Sequence, residues 1–238
     1  MREIAIFSDI HGNLEALRAI IQDLKKQKIK EIYCLGDVIG IGPNSRETLN
    51  LIRENDIKLL LGNHEIYFLN KFRKNEIFEA GSNHTEHHMW ISSLLNDEDR
   101  GFLEKCVLFQ KIEKNEIKIK LSHFFIKEDI HDGDYPFYEI DLRSKENIAD
   151  KRVDSDVEYN FFGHIHKKFF FEKEGKKYHC IGSSGCVKEN ETFYNIIRIE
   201  KEKVCVEEKK VIFDRESFNK TMNFITYPEK EEIHKKFF

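Results

Sequence analysis

Asp9 and His11 stand two residues apart, directly after a short apolar run at residues 4–7. In an extended segment such neighbours project to the same side, so a carboxylate and an imidazole converge at the end of a strand. Gly12 lets other backbone come close to that point. The pair could hold a metal, or the segment could be a turn in which Asn13 caps the next helix. Matching segments recur along the chain. Residues 32–35 end in Gly36-Asp37, and residues 57–61 in Gly62-Asn63-His64-Glu65. Ile117, Ile119 and Leu121 lead to Ser122-His123, and the run at 159–162 stops at Gly163-His164-Ile165-His166. Taken singly, Asp37 reads as a helix cap, His123 as a structural histidine, and His164 and His166 as hairpin-edge residues. The recurrence at the ends of apolar runs is the signal.

Positioning these residues requires a particular order of elements. Leu14, Leu17, Ile20, Ile21 and Leu24 recur at three and four, which predicts a helix between the first two runs. Strand, helix, strand in that order predicts a right-handed crossover and parallel pairing. The C-terminal strand ends then share one sheet edge, where open α/β sheets place their sites. Asn44 or Ser45 caps a second helix, residues 83–95 read as helical, and Asn96 or Asp97 caps another. From 124 to 157 the pattern is polar and irregular, the mark of a flap or a hidden short helix. Strands follow at 169–172, 176–181, 193–199 and 204–212. Asp214 opens a helix through Phe224, and a charged tail ends in Phe237-Phe238.

The 238 residues are 40 % hydrophobic and 34 % charged, a globular composition compatible with one domain over 1–238. A formal charge of −4 gives no reason to expect nucleic acid or an acidic membrane surface as partner. No apolar run approaches the roughly 18–20 residues of a spanning helix, and a cytoplasmic protein is expected. The five cysteines (34, 106, 180, 186 and 205) form no C-x-x-C. Most lie in apolar runs, so reduced core thiols are expected; a redox pair of Cys180 and Cys186, flanking Gly182-Ser183-Ser184-Gly185, is the alternative.

The set Asp-x-His, Gly-Asp, Gly-Asn-His-Glu, His and Gly-His-x-His, in this order and over nearly the whole chain, resembles the calcineurin-like metallophosphoesterase superfamily. The Gly182–Gly185 turn, two strands and Ile212-Phe213-Asp214 resemble the C-terminal half of its small bacterial phosphoesterases. The resemblance implies an α/β fold of two packed mixed β-sheets flanked by helices. It implies two divalent metal ions, Mn²⁺ as first choice with Fe, Zn²⁺ or Ni²⁺ also compatible with the donors. Asp9, His11 and His166 would hold the first, Asn63, His123 and His164 the second, and Asp37 would bridge. Such a pair acidifies a water held between the ions, which attacks phosphorus. His64, without a metal, would face the phosphate and protonate the leaving oxygen or stabilise its charge. No cysteine is expected among the ligands. His84, His87 and His88 match no ligand motif and read as a solvated or substrate-side face.

Three departures from the family bear on substrate. His123-Phe124 replaces a frequent His-Gly, and a bulky side chain there narrows the pocket beside the second metal. Lys167-Lys168 replaces the end of the frequent Gly-His-Thr-His-x-Pro. Residues 38–43 carry no arginine, whereas the protein Ser/Thr phosphatases and dinucleoside tetraphosphatases carry one after Gly-Asp. The expected activity is therefore hydrolysis of a small phosphodiester such as a cyclic nucleotide. A phosphomonoester or phosphoprotein is the second choice and a nuclease the third. A binding scaffold of this fold, like the retromer subunit, is the non-enzyme alternative; retention of His64 and all seven ligand positions argues against it.

Overall fold

The structure is a computed structural model that describes residues 2–70, 85–127, 135–138, 156–201 and 203–238. β1 (Arg2–Phe7), β2 (Ile32–Cys34) and β3 (Lys58–Leu59) are parallel neighbours, with α1 (Leu14–Gln27) and α2 (Ser45–Glu54) as the crossovers. Asn13 caps α1 by accepting the Ala16 N–H at 3.0 Å. Leu17, Ile20, Ile21 and Leu24 are buried, and each such side chain contributes about 1.5–3 kcal/mol. Asn44 precedes α2 without a side-chain cap bond. Ser45 instead turns its Oγ to the Gly40 N–H at 3.0 Å, closing the turn after Gly36-Asp37.

The third run is shorter as a strand than its sequence suggests. Leu60 still donates its N–H to Cys34 O of β2 at 2.9 Å, and it bridges Val107 of the segment before the next strand. α3 (Asn63–Asn70), α4 (Thr85–Leu94) and α5 (Asp97–Leu103) follow, and Asn96 and Asp99 form a reciprocal capping box at the start of α5. The second sheet comprises β4 (Phe109–Lys114), β5 (Ile117–Ser122), β6 (Tyr159–Phe162), β7 (Lys168–Lys173) and β8 (Lys176–Ile181), in the order β4-β5-β6-β8-β7. β5, β6 and β8 run parallel. β9 (Glu191–Glu200) and β10 (Lys203–Ile212) then return to the first sheet, whose order is β10-β9-β1-β2-β3.

The fold is thus the expected α/β arrangement of two mixed sheets flanked by helices. Successive β1 side chains serve two cores. Ile4 and Ile6 pack between the sheets with Leu121, Phe161 and Ile197, while Ala5 and Phe7 pack with Leu17 and Ile20 of α1. Burial on both faces explains why the first run is continuously apolar. Of the irregular 124–157 segment, residues 124–127, 135–138 and 156–157 are described; Ile126 bridges Phe137 between the first two stretches. The rest, with His84, lies outside the described residues. The charged tail is helical: α6 (Arg215–Phe224) is followed by α7 (Lys230–Phe237), whose Ile233 is buried beside Phe213 and Phe218. No described helix is long and apolar enough to cross a membrane.

Candidate metal centre

The residues singled out by sequence meet where β1, β2, β3, β5 and β6 end. The loops after β1 and β2 remain paired beyond the strands, the Asp9 N–H donating to Gly36 O at 3.0 Å and the His11 N–H to Asp37 O at 2.9 Å. The β6 loop joins them through the His164 N–H, which lies 3.1 Å from Asp9 Oδ2. Such close packing needs glycine at two points. A Cβ on Gly62 would lie 2.2 Å from Asp37 Oδ1, and one on Gly163 2.2 Å from Asp9 Oδ2.

Asp37 belongs to two groups of donor atoms, one with His11 and His64 and one with His123 and His164. Within each group the candidate ligand atoms lie within 4.8 Å of one another. Asn63 Oδ1 stands 3.0 Å from His123 Nε2 and 2.8 Å from His164 Nδ1. On the other side of Asp37, His11 Nε2 and His166 Nε2 are 2.9 Å apart, and His166 Nε2 is 3.2 Å from Asp9 Oδ1. All seven sequence-predicted ligand positions therefore converge, four of them clustered at Asn63 and the rest at Asp9. The donors fit divalent ions: imidazole nitrogens and carboxylate or amide oxygens, aimed together, with Asp9, His11, Asp37, Asn63 and His123 buried and His164 and His166 partly exposed. His11 is fully buried with no hydrogen-bond partner at Nδ1 among the described residues. His123 turns Nδ1 to Leu35 O at 3.1 Å, which leaves Nε2 facing Asp37 and Asn63.

The backbone at these positions is unusual. Asp9, His11, Asp37, His164 and His166 all have positive φ, between 49° and 67°. A left-handed conformation at a residue other than glycine costs of order 1–3 kcal/mol. Five side chains are held in one small volume at that expense.

Electrostatics divides the histidines. Burial pushes His164 down to about 3, with His123 adding to the effect, so it is neutral at physiological pH. Burial also opposes the charge of His123, but the Asp37 carboxylate overcomes it and raises His123 to about 9. His166 is raised well above the usual histidine range, burial being outweighed by its hydrogen bond to Asp9. Asp37 stays strongly acidic: burial disfavours its charge, and His123 and His64 more than compensate.

The model of the calcineurin-like phosphoesterase family matches residues 2–168. The chain belongs to the calcineurin-like phosphoesterase family. Within it, this chain is 31 % identical to the uncharacterized protein MJ0912 of Methanocaldococcus jannaschii over 173 residues, covering 72 % of this chain and 65 % of that one. It is 29 % identical over 110 residues to a symmetrical bis(5'-nucleosyl)-tetraphosphatase of Psychromonas ingrahamii, covering 45 % of this chain and 37 % of the relative. The chain thus spans less than two thirds of either curated relative. Its fold is similar to that of the hypothetical protein PH1004 from Pyrococcus horikoshii, with a TM-score of 0.77 at 18 % identity over 100 % of this chain and 98 % of that one.

Three features of the centre differ from the sequence reading or were absent from it. Glu65 is fully buried, and its carboxylate accepts N–H bonds from Asp37, Val38, Ile39 and Gly62 at 2.8–3.1 Å. It ties the β2 and β3 loops together. Burial and the nearby Asp37 push it up to about 7 against the pull of these donors. Its signal was an acid three residues after Gly62, which a helix's first turn alone does not distinguish from a dipole partner. Phe124, expected to narrow the pocket, is instead 1 % exposed and packs behind His164 at 4.7 Å between ring centres. The aromatic surroundings of His64 come from Tyr67 and His88, at 5.9 and 5.2 Å, with Tyr135 stacked on Tyr67. His88 thus lies on the site side of α4, and its neighbour His87 is buried against Trp90 and Tyr227. Finally, the expectation that no cysteine is placed near the ligands is corrected. Cys186 Sγ lies within 4.8 Å of candidate ligand atoms of His11 and His166. Its loop folds back onto the β1 loop, a contact the local sequence does not encode. Cys180 and Cys186 are both free thiols.

Proposed function

We propose that this protein is a dimetal phosphodiester hydrolase acting on a small substrate such as a cyclic nucleotide. Asp9, His11 and His166 would hold one ion, Asn63, His123 and His164 the other, with Asp37 shared. When bound, the two ions supply Lewis acidity and acidify a water for attack on phosphorus. The observation that carries the dimetal part is the presence of Asp37 in both donor groups. The chain's own residues do the rest. Glu65 fixes the loops, the Asp9 and Asp37 carboxylates would balance the metal charge, and a His64 ring nitrogen lies within 4.8 Å of donor atoms of His11 and Asp37. Hydrolysis of a diester adds water across one P–O bond. The leaving alkoxide needs a proton, and His64 would bond the oxygen as it departs, or supply the proton if its ring is protonated in the substrate complex.

The diester preference rests on what surrounds His64. A monoester is a dianion, and its enzymes usually add a cation beyond the metals. Arg46, which stands just past the turn, is committed to Asp99 of α5 at 3.5 Å. The described neighbours of His64 are aromatic and suit a base or aryl group: Tyr67, His88 and, behind Tyr67, Tyr135. A second reading, hydrolysis of a phosphomonoester or a dinucleoside polyphosphate, draws support from the tetraphosphatase similarity. Comparing kcat/KM on bis-aryl or cyclic nucleotide diesters and on the matching monoesters, with the same metal and pH, separates them. Higher values on the diesters are expected. A tenfold or greater preference for the monoester rejects the diesterase reading.

A further inference from the structure

Among the described residues, Cys186 is grouped with both His11 and His166 as a candidate ligand, and the proposed set leaves it unused. The three candidate donor atoms, two imidazole nitrogens and a thiol sulfur, lie within 4.8 Å of one another, and His11 is fully buried. Closing such a trio onto one ion with bonds of about 2.0–2.3 Å takes only a small inward movement.

The thiol's position is built, not incidental. Ser183 Oγ donates to Asp9 O at 2.7 Å and accepts the Cys186 N–H at 2.8 Å. The Ser184 and Gly185 N–H groups donate to Ser8 O and Asp9 O at 2.9 and 3.0 Å. Asn13 Nδ2 donates to Gly185 O at 2.8 Å. The two loops are pressed so tightly that a Cβ on Gly185 would stand 1.8 Å from Ile10 O. The contacts that fix Asp9 therefore also deliver Cys186 to the same edge. The other four thiols lie elsewhere: Cys34, Cys106 and Cys180 donate to Gly36 O, Phe102 O and Gly163 O, and Cys205 is exposed on β10.

We infer that Cys186 is a thiolate donor at the first metal position, and that it biases this position toward a thiophilic ion such as Zn²⁺, Fe²⁺ or Co²⁺ over Mn²⁺. The inference rests on the dimetal reading proposed above. Thiolates are soft ligands that favour such ions, whereas Mn²⁺ is suited to oxygen donors. Ligation replaces the thiol proton by the ion, and the proton leaves to solvent. The second position, with Asn63, His123 and His164, has no thiol among its described neighbours and remains open to the harder ion.

The test is cobalt substitution. Wild-type protein loaded with Co²⁺ should show a sulfur-to-cobalt charge-transfer band in the near ultraviolet. C186S should still bind cobalt, with its d–d bands, but lack that band, and C205S should keep it. Competition with a chelator should show Zn²⁺ affinity at the first position falling about tenfold or more in C186S, with Mn²⁺ affinity nearly unchanged. Two bound cobalt ions without a thiolate band in the wild type, a band surviving in C186S, or an unchanged Zn²⁺ to Mn²⁺ ratio overturns the role of Cys186 and leaves the dimetal reading standing. Failure to bind cobalt at all overturns both.

Discussion

The backbone N–H of His64 donates to Asp37 Oδ1 at 2.9 Å. One oxygen of the carboxylate is thereby held by the first turn of α3, which carries the proposed catalytic histidine. The other faces His123 Nε2 at 3.3 Å and His11 Nε2 at 3.8 Å, one on each side. An amide at this position keeps the shape and loses the charge. Asp37→Asn should therefore lose both metal equivalents, weakening affinity by more than the roughly 10–100-fold typical of an outer-shell change, and turnover with them. Metal analysis after dialysis, with activity alongside, measures it. Two full equivalents and a wild-type rate would remove Asp37 from the bridging role.

Replacing His64 separates metal binding from chemistry. Burial drives its pKa well below the usual histidine range, the Asp37 carboxylate opposing that only in part. His64→Ala should keep both metals and lose roughly 10²–10⁴-fold in rate. The loss should shrink for nitrophenolate leaving groups, which need little protonation. An equal loss on good and poor leaving groups assigns His64 to charge stabilisation.

Glu65 offers a prediction about stability. Its carboxylate satisfies four buried N–H groups from two loops, and hydrogen bonds to a charged group contribute about 1.5–3 kcal/mol each. In Glu65→Gln the amide oxygen replaces one acceptor and the NH₂ group opposes the others. A loss of about 2–4 kcal/mol is expected, read from the urea midpoint of the metal-free protein. A midpoint matching the wild type would show that these loops are held by other contacts.

Metal uptake should expel protons. In the metal-free protein burial resists the charge on His123, yet Asp37 raises it to about 9, so it is protonated at pH 7.5. A ligating imidazole must be neutral. Titrating metal into weakly buffered protein at pH 7.5 should release protons, and the release should fade as pH rises through about 9. Metal affinity should climb over the same window. The linked stability has the opposite course. A histidine raised above its unfolded value near 6.5 stabilises the metal-free fold fully below that pH and loses the contribution as pH rises through about 9. Proton-neutral binding at pH 7.5 would contradict the Asp37–His123 pairing.

How much of this was legible in the sequence follows the range of the interactions. Asp9, His11, Asp37, Asn63, His123, His164 and His166 each follow an apolar run, so local pattern and crossover topology suffice to bring them to one edge. The cap at Asn13 and the capping box at Asn96 are equally local. Cys186 was out of reach because its placement depends on a loop between the two sheets docking on residues 8–13. Phe237 reaches His166, 5.9 Å between ring centres, from a helix whose charged pattern suggested only a tail. The expectation for Phe124 failed because two residues adjacent in sequence serve opposite sides of β5's end: His123 faces the site and Phe124 the core beneath it.

The left-handed conformation of Asp9, His11, Asp37, His164 and His166 sets a direction for sequence drift. Glycine enters that region without steric cost. Each of these five side chains is therefore kept against a local gradient that favours its removal. A copy of this chain no longer selected to keep these side chains would relax by losing the centre residue by residue, its fold becoming easier to maintain. Scaffolds of this fold would then arise downhill, and restoring the centre would require climbing back through five left-handed positions.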